Sequence, residues 1–339
     1  MINTLAIQIK KKQKVMSQKI NAIVFSRDRA AQLKIFLDSA IKNAPEFKLN
    51  VIYGHTNEAF EQGYDTIIKD EDYEGVNFIK EESLRDQALK TLKSDFDHSC
   101  FFLDDDIIYK KVSAEDVIKS IKDDEDVVCF SLRLGKNTTY CYTIGEDNVM
   151  HDIDEDGDIM KWDWKLHYLD FGYPFSLNGH IFRTRDIYKL VRKAKFATIE
   201  EMEMQLFDFS EHFPRNLMAS YTESRLVNVP TGRVQLSVEN EMTMALKDVQ
   251  ARKGRQRMNE QLLRGESPDF LKLELPEIEG CHQDIDLGFL LDSSKGALDA
   301  VAAKKYGKLY EDLDEDQQEE INKAMDAVAD IAEKLGDNE

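Results

Sequence analysis

Basic residues are in short supply in this 339-residue chain: 45 Lys and Arg stand against 65 Asp and Glu, a formal net charge of −20. A surface of that sign repels phosphates, which weighs against a nucleic-acid partner and leaves only a local basic groove as a route to one. Long apolar runs are missing too, and none approaches the ~20 residues a membrane-spanning helix needs. The opening stretch, MINTLAIQIKKKQKVMSQKI, sets its lysines behind a short apolar segment, the reverse order of a secretion signal. Cysteine is scarce. Cys100, Cys129, Cys141 and Cys281 are widely spaced with no C-x-x-C pair, which argues against a disulfide framework or a zinc site. Buried thiols in a reducing, cytoplasmic compartment fit better. Core material, in contrast, is ample: 42% of residues are hydrophobic, with 18 Phe among them. That suits one large α/β domain with an appendage, or two domains of ordinary size.

From Asn21 onward, strand and helix patterns alternate. NAIVFS reads as a strand, and RDRAAQLKIFLDSAIKNA as a helix with Leu33, Phe36, Leu37 and Ile41 at helical spacing. LNVIYG and VNFIKE read as strands, SLRDQALKTLKS as a helix with Ser83 at its N-cap, and CFFLDDDIIY as a strand ending in acids. VSAEDVIKSIKDD and DVVCFSLRLG give a further helix and strand. This alternation predicts an α/β fold, a largely parallel sheet with helices on both faces. Residues 137–176 read as hairpins and loops, 181–206 and 241–265 as helical, and SRLVNVPTGRVQLS as extended. From 292 to 339 the chain carries 14 acidic residues against six lysines, with a narrow apolar stripe through Leu313, Ile321, Met325, Val328 and Ile331. No internal repeat is visible.

Phe101-Phe102-Leu103-Asp104-Asp105-Asp106 is the most informative stretch. Adjacent carboxylates at the end of a buried strand repel one another and lose solvation. Ligands of open α/β sheets bind beyond the carboxyl ends of the strands. A hard divalent cation there, Mn2+ or Mg2+, would neutralise the acids and accept the phosphates of a nucleotide. The competing reading is a solvated acidic loop.

Six stretches, AIVFSRDRAAQL, FFLDDDI, CFSLRLGKN, YPFSLNGHIFR, SRLVNVPTGRVQ and GCHQDI, span about residues 20–290. In that order they resemble the GT-A glycosyltransferases, and in particular a family-2-like branch met in bacteria and phages. The resemblance implies a GT-A type, Rossmann-like mixed and mainly parallel sheet flanked by helices, with a C-terminal helical extension. It implies an N-terminal extension over 1–20, a nucleotide-sugar-binding half over 21–135, an acceptor-side half over 136–291 and an acidic helical tail over 292–339. Asp104 and Asp106 fall on the D-x-D positions, with Asp106 the more direct metal ligand and His282 completing the metal shell. Ser26, Arg27, Arg29, Asp104 and Asp105 would hold the donor nucleotide, an Arg fork matching a diphosphate with parallel charged hydrogen bonds. Asn178, Gly179 and His180 match the glycine loop between donor and acceptor, where glycine would let backbone approach substrate.

For the catalytic base the resemblance points to an acid on the helix after that loop, Glu203 first and Glu201 second. A hydroxyl attacking an anomeric carbon needs a carboxylate within hydrogen-bond reach. Solvated helix acids capped by Thr198 are the alternative. Trp162, Trp164 and Tyr173 are candidates for the acceptor wall, since flat apolar faces stack on sugar rings, though core packing explains such residues equally well. Asp152, Asp154, Asp156, Gly157 and Asp163 match the spacing of a calcium-binding EF-hand loop. The alternation after Asp156-Gly157 favours a hairpin.

The expected function is transfer of a sugar from a nucleotide-sugar donor, such as a UDP-sugar, to a hydroxyl acceptor with Mn2+ or Mg2+ on the diphosphate. Asp106→Ala is expected to abolish metal-dependent donor hydrolysis with the fold intact. Two alternatives stand beside it: a nucleotidyltransferase acting on NTP and a sugar phosphate, and a non-enzymatic calcium-binding interaction protein.

Overall fold

The computed structural model describes residues 19–230 and 254–289, together with 302, 305–306, 310 and 313–323. The expected N-terminal extension and most of the acidic tail lie outside these residues. So do the last part of SRLVNVPTGRVQLS and the first part of the expected helix 241–265, of which residues 254–263 are helical. The chain divides into two compact units, Met1–Thr231 with Leu262–Gly288, and Gly232–Gln261 with Phe289–Glu339. In the second, Ala302, Leu313 and Ile321 form a small apolar cluster.

The first unit is built on a sheet whose central leading strands are apolar, as strands buried on both faces must be, with a more exposed strand at its edge. They are β1 (Ile20–Arg27), β2 (Phe47–Gly54), β3 (Asn77–Lys80) and β4 (His98–Leu103). These four pair in parallel, in the order β3-β2-β1-β4. Helix α1 (Ala30–Asn43) joins β1 to β2 and buries Leu33, Phe36 and Leu37. Phe36 lies 5.2 Å from the Phe102 ring and Phe25 stacks on Phe101 at 5.9 Å. Burying each such ring contributes roughly 1.5–3 kcal/mol. Helix α2 (Glu58–Ile68) begins where Asn57 caps the Phe60 N–H. The spacing of Phe60, Tyr64 and Ile67 marks this helix in the sequence, although the strand reading passed over it. Helix α3 (Leu84–Leu92) starts after Ser83, whose hydroxyl meets Asp86 instead of capping a backbone N–H.

The run CFFLDDDIIY is not one strand. After β4 the chain turns at Asp104-Asp105, and β5 (Asp106–Ile108) leaves the main sheet. Three adjacent acids suit a turn, where each can find its own partner. Helix α4 (Ala114–Lys122) and β6 (Val127–Ser131) follow. Short hairpins come next, β7 (Tyr140–Cys141) with β8 (Glu146–Asp147) and β9 (Asp154–Asp156) with β10 (Ile159–Asp163), as the turn signals foretold.

Residues 181–183, expected to be helical, belong instead to a strand, β11 (His180–Arg183); α5 (Thr184–Lys193) and α6 (Ile199–Asp208) come only after it. β11 lies antiparallel between β4 and β6. Then come β12 (Leu217–Tyr221), which joins the main sheet, and β13 (Leu226–Asn228), which pairs with β5. Nine strands thus form one mixed, mainly parallel sheet, β3-β2-β1-β4-β11-β6-β12-β10-β9, as the expected fold class requires. A division at 135/136 cuts through it, because β11 hydrogen-bonds to strands of the earlier half on both sides. Among the described residues no helix is long and apolar enough to cross a membrane. All four cysteines are free, buried thiols.

Candidate active site

Parallel pairing sets the ends of β1, β2 and β4 at one edge of the sheet, and the Asp104–Asp106 turn lies there. All three acids are buried, Asp106 completely. Arg29, at the N-cap of α1, sends one guanidinium nitrogen to Asp105 at 2.5 Å and to Asp104 at 3.4 Å. Burial disfavours the arginine's charge, but the two carboxylates outweigh it and keep Arg29 protonated. Asp106 is held from the other side. Its Oδ2 accepts the Leu103 N–H at 2.9 Å, and its Oδ1 accepts Asn178 at 2.8 Å and Asn228 at 3.0 Å. Burial raises both Asp104 and Asp106 far above the ordinary carboxylate range, Asp106 to about 8, with repulsion from Asp105 adding to it. One arginine does not balance three carboxylates, and a proton on Asp106, or a cation in its place, makes up the difference at neutral pH.

The loop after β1 splits its two arginines. Asp28 adopts a left-handed backbone (φ 59°), and its carboxylate takes the Thr56 N–H and hydroxyl. Arg29 is turned in, whereas Arg27 points out to Glu81 with a half-exposed side chain. Ser26 is buried and shares a 2.7 Å hydrogen bond with the Tyr64 hydroxyl. Of the residues expected at the donor nucleotide, Ser26, Arg29, Asp104 and Asp105 are gathered together; Arg27 is not.

Asn228 ties the turn to the far side of the site. Its amide N–H groups also reach Asp105 at 2.6 Å, and its oxygen accepts from His282 Nδ1 at 3.1 Å. His282 Nε2 in turn accepts from Arg133 at 3.2 Å. Arg133, 2% exposed, pairs with Asp170 at 2.9 Å and lies 6.0 Å over the Tyr173 ring. Arg133, Asp170 and Asn228 carried no role in the sequence reading. For Arg133 and Asn228 the signal was a charged or amide side chain inside an apolar run, CFSLRL and RLVNV.

Glu203, on α6, accepts the Leu177 N–H at 3.0 Å. Leu177 precedes Asn178, so one short backbone segment links Glu203 to Asp106. Glu201 is elsewhere: it is exposed and closes a capping box with Thr198. Gly179 has φ 70°, yet a Cβ there would meet Leu226 at 2.9 Å, so its close approach is to the core and not to a substrate. His180 is fully buried, donates Nδ1–H to the Pro174 carbonyl at 3.0 Å, and has no partner for Nε2. The expected acceptor wall changes membership. Trp162 and Trp164 are buried, their indole N–H groups bonded to the Phe171 and Arg215 carbonyls, and the Lys165 ammonium lies 5.3 Å from the Trp164 ring, so neither ring offers an open face. Tyr173 remains partly open and stacks on Phe207 at 4.7 Å, a ring the sequence reading had not singled out.

The carboxylates of the turn fit a hard divalent cation: they are oxygen donors with surplus charge. His282 does not fit beside them, since its Nε2 lone pair already faces a guanidinium N–H. Among the described residues, no three His, Cys, Asp or Glu side chains form a ready metal-holding group. The acids from Asp152 to Asp163 follow the hairpin reading. Asp156 pairs with Ile159 across the turn, Asp158 binds Thr222 and Arg225, and Asp163 caps Lys165.

No family model matches the chain. It is 28% identical over 192 residues to the bifunctional glycosyltransferase pgtA of Dictyostelium discoideum, 51% of this chain and 25% of that protein. The chain thus spans about a quarter of that relative's length. This match bears out the resemblance to glycosyltransferases. Among solved structures, TarS of S. aureus overlaps with a TM-score of 0.42 at 14% identity, covering 74% of this chain and 73% of that one. A 4-diphosphocytidyl-2C-methyl-D-erythritol synthase from Anaerococcus prevotii overlaps at 0.34 and 15% identity, covering 69% and 99%. Overlaps this distant leave the chemistry to the residues themselves.

Proposed function

We propose that the chain transfers a sugar from a nucleotide-sugar donor, in the first instance a UDP-sugar, to a hydroxyl acceptor. One observation carries this: consecutive residues hold the two acids, Leu177 binding Glu203 through its backbone N–H and Asn178 binding Asp106 through its side-chain amide, which ties a base-like carboxylate to the charged turn. Arg29 and Ser26, beside the ends of β1 and β4, would bind the nucleotide. Glu203 would take the proton of the acceptor hydroxyl as it attacks the anomeric carbon. Tyr173 and Phe207 offer an aromatic face for the acceptor. Asp104 and Asp106 would hold a divalent cation, Mn2+ or Mg2+, with the diphosphate supplying further oxygen ligands, and the cation would supply positive charge to that leaving group. The relative's printed activity, glycosyl transfer, supports the same reading.

The test is a melting-temperature panel with Mn2+ and UDP, GDP, CDP or ADP, followed by product analysis. A ligand bound only by the native state raises the melting point by RT ln(1 + [L]/Kd). One diphosphate should give a metal-dependent shift, and the matching nucleotide-sugar should release that diphosphate as an acceptor is glycosylated. Pyrophosphate release from an NTP and a sugar phosphate would assign nucleotidyl transfer instead. No shift with any nucleotide would remove the donor site. Asp106→Asn suits this work better than Asp106→Ala. Alanine would strand three N–H donors at a fully buried position, each at a cost of about 1–3 kcal/mol.

A further inference from the structure

The far side of the site is a continuous chain of hydrogen bonds: Asp170 to Arg133, Arg133 to His282 Nε2, His282 Nδ1 to the Asn228 oxygen, and the Asn228 amide to Asp105 and Asp106. Each link fixes the next. An arginine can only donate, so Nε2 must accept. The imidazole proton therefore lies on Nδ1 and points at Asn228. The amide oxygen is taken up by that proton, which leaves both amide N–H groups for the two carboxylates. An amide flipped the other way would set its oxygen against two acids. A backbone bridge between Asn228 and His282 keeps the two side chains in register, and the backbone N–H of Asn228 bonds to the Cys281 carbonyl.

We infer that His282 is a positioning residue that orients Asn228 against Asp105 and Asp106, with Arg133 fixing its tautomer, and that it is not a cation ligand. This rests on the transferase reading only for what the carboxylates hold; the contacts of His282 stand without it. A cation at Nε2 would have to displace a buried guanidinium already paired with Asp170. Removing His282 frees Asn228 to rotate and loosens two of the three acids at once.

The experiment compares the full chain with His282→Ala, His282→Gln, Arg133→Met and the Arg133→Met/His282→Ala double variant. Melting temperature is measured in EDTA, and Mn2+ affinity by titration calorimetry. Glutamine can donate to Asn228 and accept from Arg133, as the histidine does. In EDTA, His282→Ala should melt several degrees lower. Its effect should also be non-additive with Arg133→Met. Mn2+ binding should weaken about tenfold in His282→Ala, as for an outer partner of a metal site. His282→Gln should restore Mn2+ binding to within about twofold. If His282→Ala does not fold, the glutamine variant alone decides. The inference is overturned if stability in EDTA is unchanged, or if glutamine loses Mn2+ as fully as alanine. Absence of Mn2+ binding in the parent chain would instead count against the cation in the proposed function, and the EDTA comparison would still judge His282.

Discussion

Two arginines of the site, Arg29 partly buried and Arg133 fully buried, are neutralised in opposite ways. Arg29 faces two carboxylates with a third behind them, so acids outnumber the cation. Arg133 has one carboxylate, Asp170, and gives another N–H to a neutral imidazole. Asn228 lies between the two ends and touches both. The Arg29 end is short of positive charge, which is where an incoming cation or a substrate's countercharge gains most. The Arg133 end is balanced, and what it offers is geometry. An acidic protein has concentrated its local charge deficit at one turn and built a rigid support beside it.

That contrast can be broken most directly at Arg29. Arg29→Ala leaves Asp104 and Asp105 buried without their cation, a loss of about 3–5 kcal/mol. Mn2+ should return part of the lost melting temperature, and should do less for Arg133→Met. Equal rescue of both variants would mean the two ends do not differ. Next in size, Glu203→Gln should lower the rate of sugar transfer about 10²–10⁴-fold. Nucleotide binding should survive this change. Glu201→Gln, which keeps a side chain able to close the capping box, should leave the rate unchanged.

A smaller effect concerns His180, on the Arg133 side. Burial, aided by Arg133, lowers its pKa from 6.5 to about 3. Between those values the unfolded chain binds a proton that the folded chain refuses, so stability falls as pH drops from 6.5 toward 3 and is level above 6.5. Unfolding free energies from urea titrations across that range should depend on pH less steeply in His180→Gln, by about 1.4 kcal/mol per pH unit. An unchanged slope would mean His180 is not buried neutral. The smallest effect belongs to Arg27→Ala, which removes only a half-exposed pair with Glu81 and should cost under about 1 kcal/mol.

Much of the architecture was legible because apolar runs and turn residues mark strands strongly. The acidic turn was legible because acids at a strand end are conspicuous. The residues that organise it were harder to see. Arg27 and Arg29 are two positions apart, and only the left-handed backbone at Asp28 decides which one faces inward. Arg133 and Asn228 sit in apolar runs where a polar side chain reads as an interruption until its partner from a distant segment is known. The tryptophans misled for a related reason: sequence gives a ring, not the side of the sheet on which it ends.

Strand β11 has a kinetic consequence. It completes the middle of the sheet only by pairing with β4, roughly eighty residues earlier along the chain, and with β6, roughly fifty earlier, and such distant pairings slow folding. Asn178 lies two residues before that strand. A chain with every helix already formed would still lack the contact between Asn178 and Asp106 until β11 docks, so the site is expected among the last parts to become native.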